Sequence, residues 1–278
     1  MNRRSFLKAL AAGGLTLGLS PLLYGAMVEP NRFEVVEQSI RLPRLGPGLD
    51  GLRVAQISDL HMGPFFSREK LEKVVEILLA QSPDLILITG DFLTRGTDYG
   101  QTLAGLLEPL GELTRRWPVF SVMGNHDHYR RHAGELRSLL GRLGIVDVTN
   151  GVQPYRQNGD TLHIAGVGTL STGHMFLNKV AKQAPADSAV VLLAHEPDVA
   201  QWKSPRFVMQ FSGHTHGGQI NLIGSVPLIL PWMGKLYPCG LYDLDGFLVY
   251  TNRGLGMTRL PIRLNCPPEI TVFTLRSA

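Results

Sequence analysis

The chain has little of what several protein classes require. Only two cysteines, Cys239 and Cys266, occur in 278 residues. That excludes a disulfide-dense scaffold and a thiolate zinc finger, and sequence alone does not say whether the two pair in an oxidising compartment. Charged residues make up 18% against 44% hydrophobic, which excludes a disordered chain and a coiled coil. No repeat period orders the 31 glycines and 18 prolines, so they mark loops of a globular protein and not a fibre.

Acidic residues are missing before Glu29, while Arg3, Arg4 and Lys8 are basic and Ala9 to Val28 carries no charge. An arginine pair before a moderately apolar run resembles a twin-arginine export signal. The chain is therefore expected to divide into residues 1–28, a signal or membrane anchor, and residues 29–278, one folded domain. Tyr24-Gly25-Ala26 puts a bulky residue where a cleavage site needs a small one, and about 20 apolar residues can span a bilayer. Both cleavage and retention stay open. Basic residues ahead of the apolar run would keep the N-terminus cytoplasmic and put the body outside, in the cell envelope. Without those three basic residues the balance is 24 basic to 23 acidic. The formal charge of +4 thus belongs to the leader, and no nucleic-acid partner is expected.

From Leu52 onward short apolar runs alternate with amphipathic segments. Strands are predicted over Leu52–Ser58, Asp84–Thr89 and Val119–Met123. Helices are predicted over Arg68–Ala80, capped by Ser67, then Gln101–Arg115 and Ala133–Leu143. The second half reads as strand at Thr161–Gly166, Ala189–Ala194, Phe207–Phe211, Phe247–Thr251 and Glu269–Leu275. This pattern predicts an α/β fold, a two-sheet mixed β sandwich flanked by helices. No G-x-G-x-x-G follows the first strand, which argues against a pure dinucleotide-binding fold.

Polar residues gather where the predicted strands end, as open α/β sheets place their sites. They are Asp59-Leu60-His61, Gly90-Asp91, Gly124-Asn125-His126-Asp127, His195, and Gly213-His214-Thr215-His216. Any one fragment could be a turn or cap; five at successive strand ends have no such account. Nitrogen and oxygen donors without thiolate suit Mn, Fe or Zn better than Ca or Mg. Seven side chains exceed the needs of one ion, and one shared carboxylate would let them hold two divalent metal ions. The neutral amide of Asn125 would limit negative charge in a site that accepts an anion.

These motifs, in this order, resemble the calcineurin-like metallophosphoesterases over roughly residues 50 to 275. The resemblance implies that Asp59, His61 and His216 hold one metal, Asn125, His195 and His214 hold the other, and Asp91 bridges them. It also implies that His126 is the catalytic imidazole and that Asp127 orients it. A metal-bridging hydroxide would then attack phosphorus in line. Gly217-Gly218-Gln219, Asn252-Arg253-Gly254-Leu255-Gly256 and Pro268-Glu269-Ile270 look like the bacterial membrane-associated phosphodiesterase branch. That branch includes relatives that cleave the pyrophosphate of UDP-diacylglucosamine. The implied partners are a phosphodiester or pyrophosphate substrate, lipid-linked in one reading, together with the twin-arginine export machinery and the membrane surface. Two alternatives are a non-catalytic metal-bearing binding module and, from H-x-H alone, a zinc amidohydrolase.

Other residues have two readings each. Arg253 could bind a substrate phosphate or form a salt bridge. The apolar stretch Leu222 to Tyr242, broken by proline and glycine, is either a loop folded on the core or a lip meeting an acyl chain or bilayer. His128 and His132 suit a solvated loop or helix start better than a catalytic part. His163 reads as a surface strand position, and His174 is undecided.

Overall fold

The computed structural model describes residues 21–97, 99, 102–128, 132–222 and 226–278. Twelve strands among them form two six-stranded sheets. The first contains β1 (Glu34–Leu42), β2 (Arg53–Ile57), β3 (Leu85–Ile88), β4 (Val119–Ser121), β5 (Ile145–Asp147) and β12 (Glu269–Ser277), in the order β1-β12-β2-β3-β4-β5. The second contains β6 (Gly151–Gln157), β7 (Asp160–Gly166), β8 (Val190–Leu193), β9 (Met209–Ser212), β10 (Gly240–Leu244) and β11 (Phe247–Thr251), in the order β10-β11-β9-β8-β7-β6. Strands β2 to β5 run parallel in one sheet, as do β7, β8, β9 and β11 in the other. Antiparallel pairings lie outside these runs, at β12–β2, β6–β7 and β10–β11.

Two-sided burial explains why the central strands read as unbroken apolar runs. In β3, Leu85 and Leu87 face the second sheet, packing in one cluster with Val191, Leu193 and Phe211. Ile86 and Ile88 point the other way, against Leu71, Val74 and Leu78 of α1 (Arg68–Gln81) and Leu136 and Leu140 of α4 (His132–Arg142). The outer face of the second sheet is covered by Leu177 and Val180 of α5 (Leu177–Gln183). The layers are thus helix, sheet, sheet, helix, as the sequence predicts. Buried Gln56 ties the two sheets together, donating to the Thr89 hydroxyl and the Ser212 carbonyl.

Some expectations needed correction. The single helix over Gln101–Arg115 is two, α2 (Leu103–Leu107) and α3 (Leu110–Thr114), divided where Pro109 has no N–H to give. Ser67 stands at the N-cap of α1 in extended backbone but makes no side-chain cap bond. Strands β1, β5, β6 and β10 went unpredicted. All four are sheet edges, and β6 carries Pro154, which only an edge tolerates. Cys239 and Cys266 are free thiols. Of the leader, residues 1–20 lie outside the described residues, and 21–27 are helical. Among the described residues no helix is long and apolar enough to cross a membrane.

Candidate metal centre

The strand ends that carry the polar motifs meet at one edge of the sandwich. Asp59 and His61 follow β2, Asp91 follows β3, and Asn125 to Asp127 follow β4. His195 follows β8, and His214 and His216 follow β9. Five of these residues turn sharply out of their strands on left-handed backbone: Asp59 (φ 52°), His61 (46°), Asp91 (55°), His214 (72°) and His216 (52°). Non-glycine residues enter that region at a cost of roughly 1–2 kcal/mol. Two glycines let backbone come close to the carboxylates. A Cβ on Gly213 would lie 2.2 Å from Asp59 Oδ2, and one on Gly124 would lie 2.1 Å from Asp91 Oδ1.

Donor atoms converge in two groups around Asp91. In the first, His61 Nε2 and His216 Nε2 are 3.1 Å apart. Asp59 Oδ1 lies 3.7 Å from the former and 3.4 Å from the latter. In the second, His195 Nε2 lies 3.1 Å from Asn125 Oδ1 and 3.2 Å from His214 Nδ1. One oxygen faces both groups: Asp91 Oδ2 is 3.4 Å from His61 Nε2 and 3.2 Å from His195 Nε2. The other, Oδ1, accepts the His126 amide at 2.8 Å.

Neighbouring groups select the tautomers that aim lone pairs inward. His195 Nδ1–H donates to the Thr89 carbonyl at 2.7 Å, leaving Nε2 toward Asp91. His214 Nε2–H donates to the Trp232 carbonyl at 2.8 Å, leaving Nδ1 inward. Backbone orientation of a ligand imidazole is the usual support of a metal site. Asp59, His61 and His216 are buried and bring their acceptor atoms within 4.8 Å of one another, as do Asp59, Asp91 and His195. Buried oxygen and nitrogen lone pairs converging in this way fit cations and repel one another without them. The donor set therefore fits divalent metal.

Charge follows the same logic. Burial alone would raise the Asp91 carboxyl, but His195, His126 and His61 hold it well below the usual carboxylate range. Burial likewise acts to raise Asp59, and His216 and His61 hold it low. Burial acts to lower His195, but Asp91, then Asp59 and the Thr89 carbonyl, push it up to about 10, so without metal its Nε2 holds a proton that a bound cation would displace. Burial pushes His126 down to about 4 and His216 down to about 3.

His126 stands edge-on to His61, with ring centroids 4.6 Å apart, and lines the cavity above the donors. Its Nδ1 accepts the Arg95 amide at 3.0 Å, so in the neutral ring Nε2 carries the proton. Asp127 does not hold that ring as the resemblance implied. Its two oxygens accept the Leu93 and Gly124 amides, so it fixes the loops that carry Asp91 and Asn125. Buried among loops and repelled by Asp91, its carboxyl is pushed up to about 7. Arg253 had two readings. It pairs with Glu269 and, at 3.0 Å, with Glu34, and it is absent from the cavity lining, which favours the salt-bridge reading.

Of the remaining histidines, His128, His163 and His174 lie outside both donor groups. His128 stacks on His174 with centroids 4.7 Å apart. His163 is a half-buried position of β7, and His132 begins α4. Sequence reasoning missed Arg263, which is fully buried. Its guanidinium donates to the carbonyls of Arg253, Gly254, Gly256 and Cys266. The loop so held lies on the first metal motif, where the Leu255 and Gly256 amides donate to the Ser58 and Asp59 carbonyls. Nothing in the sequence marks it. Gln56 was legible in retrospect, as a lone amide inside an apolar run.

His61, Asp91, Asn125, His214 and His216 line a cavity of about 680 Å³. Apolar Leu228, Ile229, Leu230, Pro231 and Leu260 line it too, as do Arg95 and Arg259.

The family model described as "Calcineurin-like phosphoesterase" matches residues 52–218. A Bacillus subtilis (strain 168) protein described as an uncharacterized metallophosphoesterase, YkuE, is 38% identical over 283 residues, covering 100% of this chain and 98% of its own. The phosphodiesterase YaeI of Escherichia coli (strain K12) is 30% identical, covering 99% of each chain. Among solved structures, the sulfate thiohydrolase SoxB of Thermus thermophilus has a TM-score of 0.50 at 13% identity, covering 84% of this chain and 57% of that one. That last likeness is one of fold.

Proposed function

The chain belongs to the calcineurin-like phosphoesterase family and is a metal-dependent phosphoester hydrolase, and on that premise we propose that it cleaves phosphodiesters at a centre of two divalent ions. The single Asp91 oxygen facing both His61 and His195 carries the reading, because a shared carboxylate is what a paired centre needs. Asp59, His61 and His216 would hold one ion, and Asn125, His195 and His214 the other. Bound there, the ions would acidify water toward neutral pH and offset phosphate charge. His126 Nε2–H, held in that tautomer by the Arg95 amide, would donate a hydrogen bond that steadies the charge developing on the departing oxygen, and water would supply the proton that the alkoxide finally takes. Asn125 supplies an oxygen without adding negative charge. Asp127 keeps the Asp91 and Asn125 loops in register.

A diester is favoured over a monoester because Leu228, Ile229 and Leu230 line the same cavity as the donors, an apolar surface that would receive a second substituent on phosphorus. The test is a panel of mono-, di- and pyrophosphate esters on one preparation of known metal content. Faster turnover of monoesters than of diesters would overturn the reading. A second reading, a pyrophosphatase acting on a nucleotide-linked lipid such as UDP-diacylglucosamine, draws on Arg259 standing beside Leu260 in the cavity lining. There a cation and an apolar surface lie together. We also propose export by the twin-arginine route, with residues 9–28 as signal or anchor, because that run is uncharged and follows an arginine pair. Mapping the mature N-terminus tests it, and a start near Glu29 excludes the anchor.

A further inference from the structure

We infer that the mouth of the cavity sits face-down on a lipid bilayer, fixed in that attitude by the segment that leads into Glu29. The apolar lip is folded on the core only in part: Met233 is buried and Tyr237 packs on the second sheet's outer cluster. Leu222, Val226, Leu228, Ile229, Trp232 and Leu236 are each 51–64% exposed, and Leu228 and Ile229 also line the cavity. So many large apolar side chains exposed within one short stretch mark an interaction surface.

A second exposed group lies where the chain enters the domain. Leu22, Leu23, Met27 and Val28 are 49–69% exposed. Their segment is nevertheless fastened to the body. The Arg263 amide donates to the Gly25 carbonyl at 2.9 Å. The carboxylate of Glu29, itself buried, accepts the Asn265 and Cys266 amides.

The two groups share one rigid strip. Leu264 donates to the Gln219 carbonyl, and Asn221 donates back to Leu264 at 2.8 Å. Asn221 bridges to Pro227, and the Leu228 amide donates to Ile220 at 3.0 Å. The entry segment, residues 263–266, residues 219–222 and residues 226–229 therefore lie side by side.

The occupant follows from the chain itself. The uncharged run from Ala9 to Val28 ends in the second exposed group, and a run of about 20 such residues partitions into lipid. Fastened at Gly25 and Glu29, it brings the lip down with it. Trp232 is the residue type that settles at the headgroup level. Exposed Arg259 and Lys235 stand among the apolar side chains, where anionic headgroups would meet them. This inference is independent of which ester is cleaved.

The test uses the full-length protein reconstituted in phosphatidylcholine–phosphatidylglycerol vesicles with brominated acyl chains, comparing it with Trp232→Phe by tryptophan fluorescence. Bromine should quench the native protein, and Trp232→Phe should lose at least about half of the quenched signal. An equal quenched signal in both proteins, as an anchor with a lip clear of the membrane would give, overturns the inference. So does a native protein that is not quenched. A Leu228→Ser/Ile229→Ser variant, altered only at exposed side chains, should red-shift Trp232 emission in vesicles. An unshifted emission counts against seating.

Discussion

His214 and Trp232 are joined through a hydrogen bond of 2.8 Å from the His214 ring to the Trp232 carbonyl. An exposed apolar lip thereby decides which nitrogen of a candidate ligand faces the centre. Loosening the lip backbone should be felt at the metal. Pro231→Gly frees the residue before Trp232, and we expect up to about tenfold weaker metal affinity with an intact fold, since supports of this kind are worth about 10–100-fold. Titration calorimetry with Mn²⁺ decides it; unaltered affinity would show that the contact does not support binding.

Asp91→Ala removes the oxygen that both donor groups share. Bound metal should fall by at least one equivalent, measured by plasma mass spectrometry on the purified protein. Retention of the full complement would sink the bridging role. The variant also strips His195 of the charge that pushes it up to about 10, so its imidazole should titrate far lower by NMR in the metal-free protein.

His126→Ala should leave metal content nearly intact while turnover drops about a hundredfold or more. A ring nitrogen of His126 lies within 4.8 Å of the His61 and Asp91 donors, but both donor groups are complete without it, and its backbone amide, which steadies Asp91, survives the substitution. Comparable turnover in the variant would remove His126 from the chemistry.

Stability of the metal-free protein should peak near neutral pH. His195, raised to about 10, contributes fully below the unfolded value near 6.5 and loses that contribution as pH rises through about 10. Asp59 and Asp91, held low, contribute above about 3.9 and lose it as pH falls. His126 and His216, lowered to about 4 and about 3, stay neutral where the unfolded chain takes up protons, so stability drops as pH falls below about 6.5. Thermal melts in chelator across this range would show the maximum. A Tm still rising well above neutrality would contradict the assignment.

Arg263→Met should destabilise the protein by at least about 3 kcal/mol, because several buried carbonyls lose their donor at once. Arg263→Lys should recover only part of this, since an ammonium lacks the planar fork that reaches them together. Urea unfolding measures both; wild-type stability in either variant would refute it.

The site was legible because its ligands sit in short motifs just past strand ends. Asp59-x-His61 and His214-x-His216 each put two donors within three residues, and the strands between are apolar enough to be read by eye. What stayed hidden depends on distant contacts. The Asp127 carboxylate lies beside its neighbour in sequence, yet it bonds Leu93 across the fold, and no local pattern encodes that. Arg263 works through carbonyls, which every residue has. The missed strands are edges whose exposed faces carry mixed side chains, so neither a continuous nor an alternating apolar pattern announces them.

The left-handed turns at Asp59, His61, Asp91, His214 and His216 have one more consequence. Their conformations are fixed by the two sheets beneath and by loop contacts such as those of Arg263, all made by protein atoms. A chelator should leave behind a protein that keeps its shape and recharges on adding metal back. Among the divalent cations on offer, these imidazole-rich donors would favour Mn, Fe or Zn over Ca or Mg.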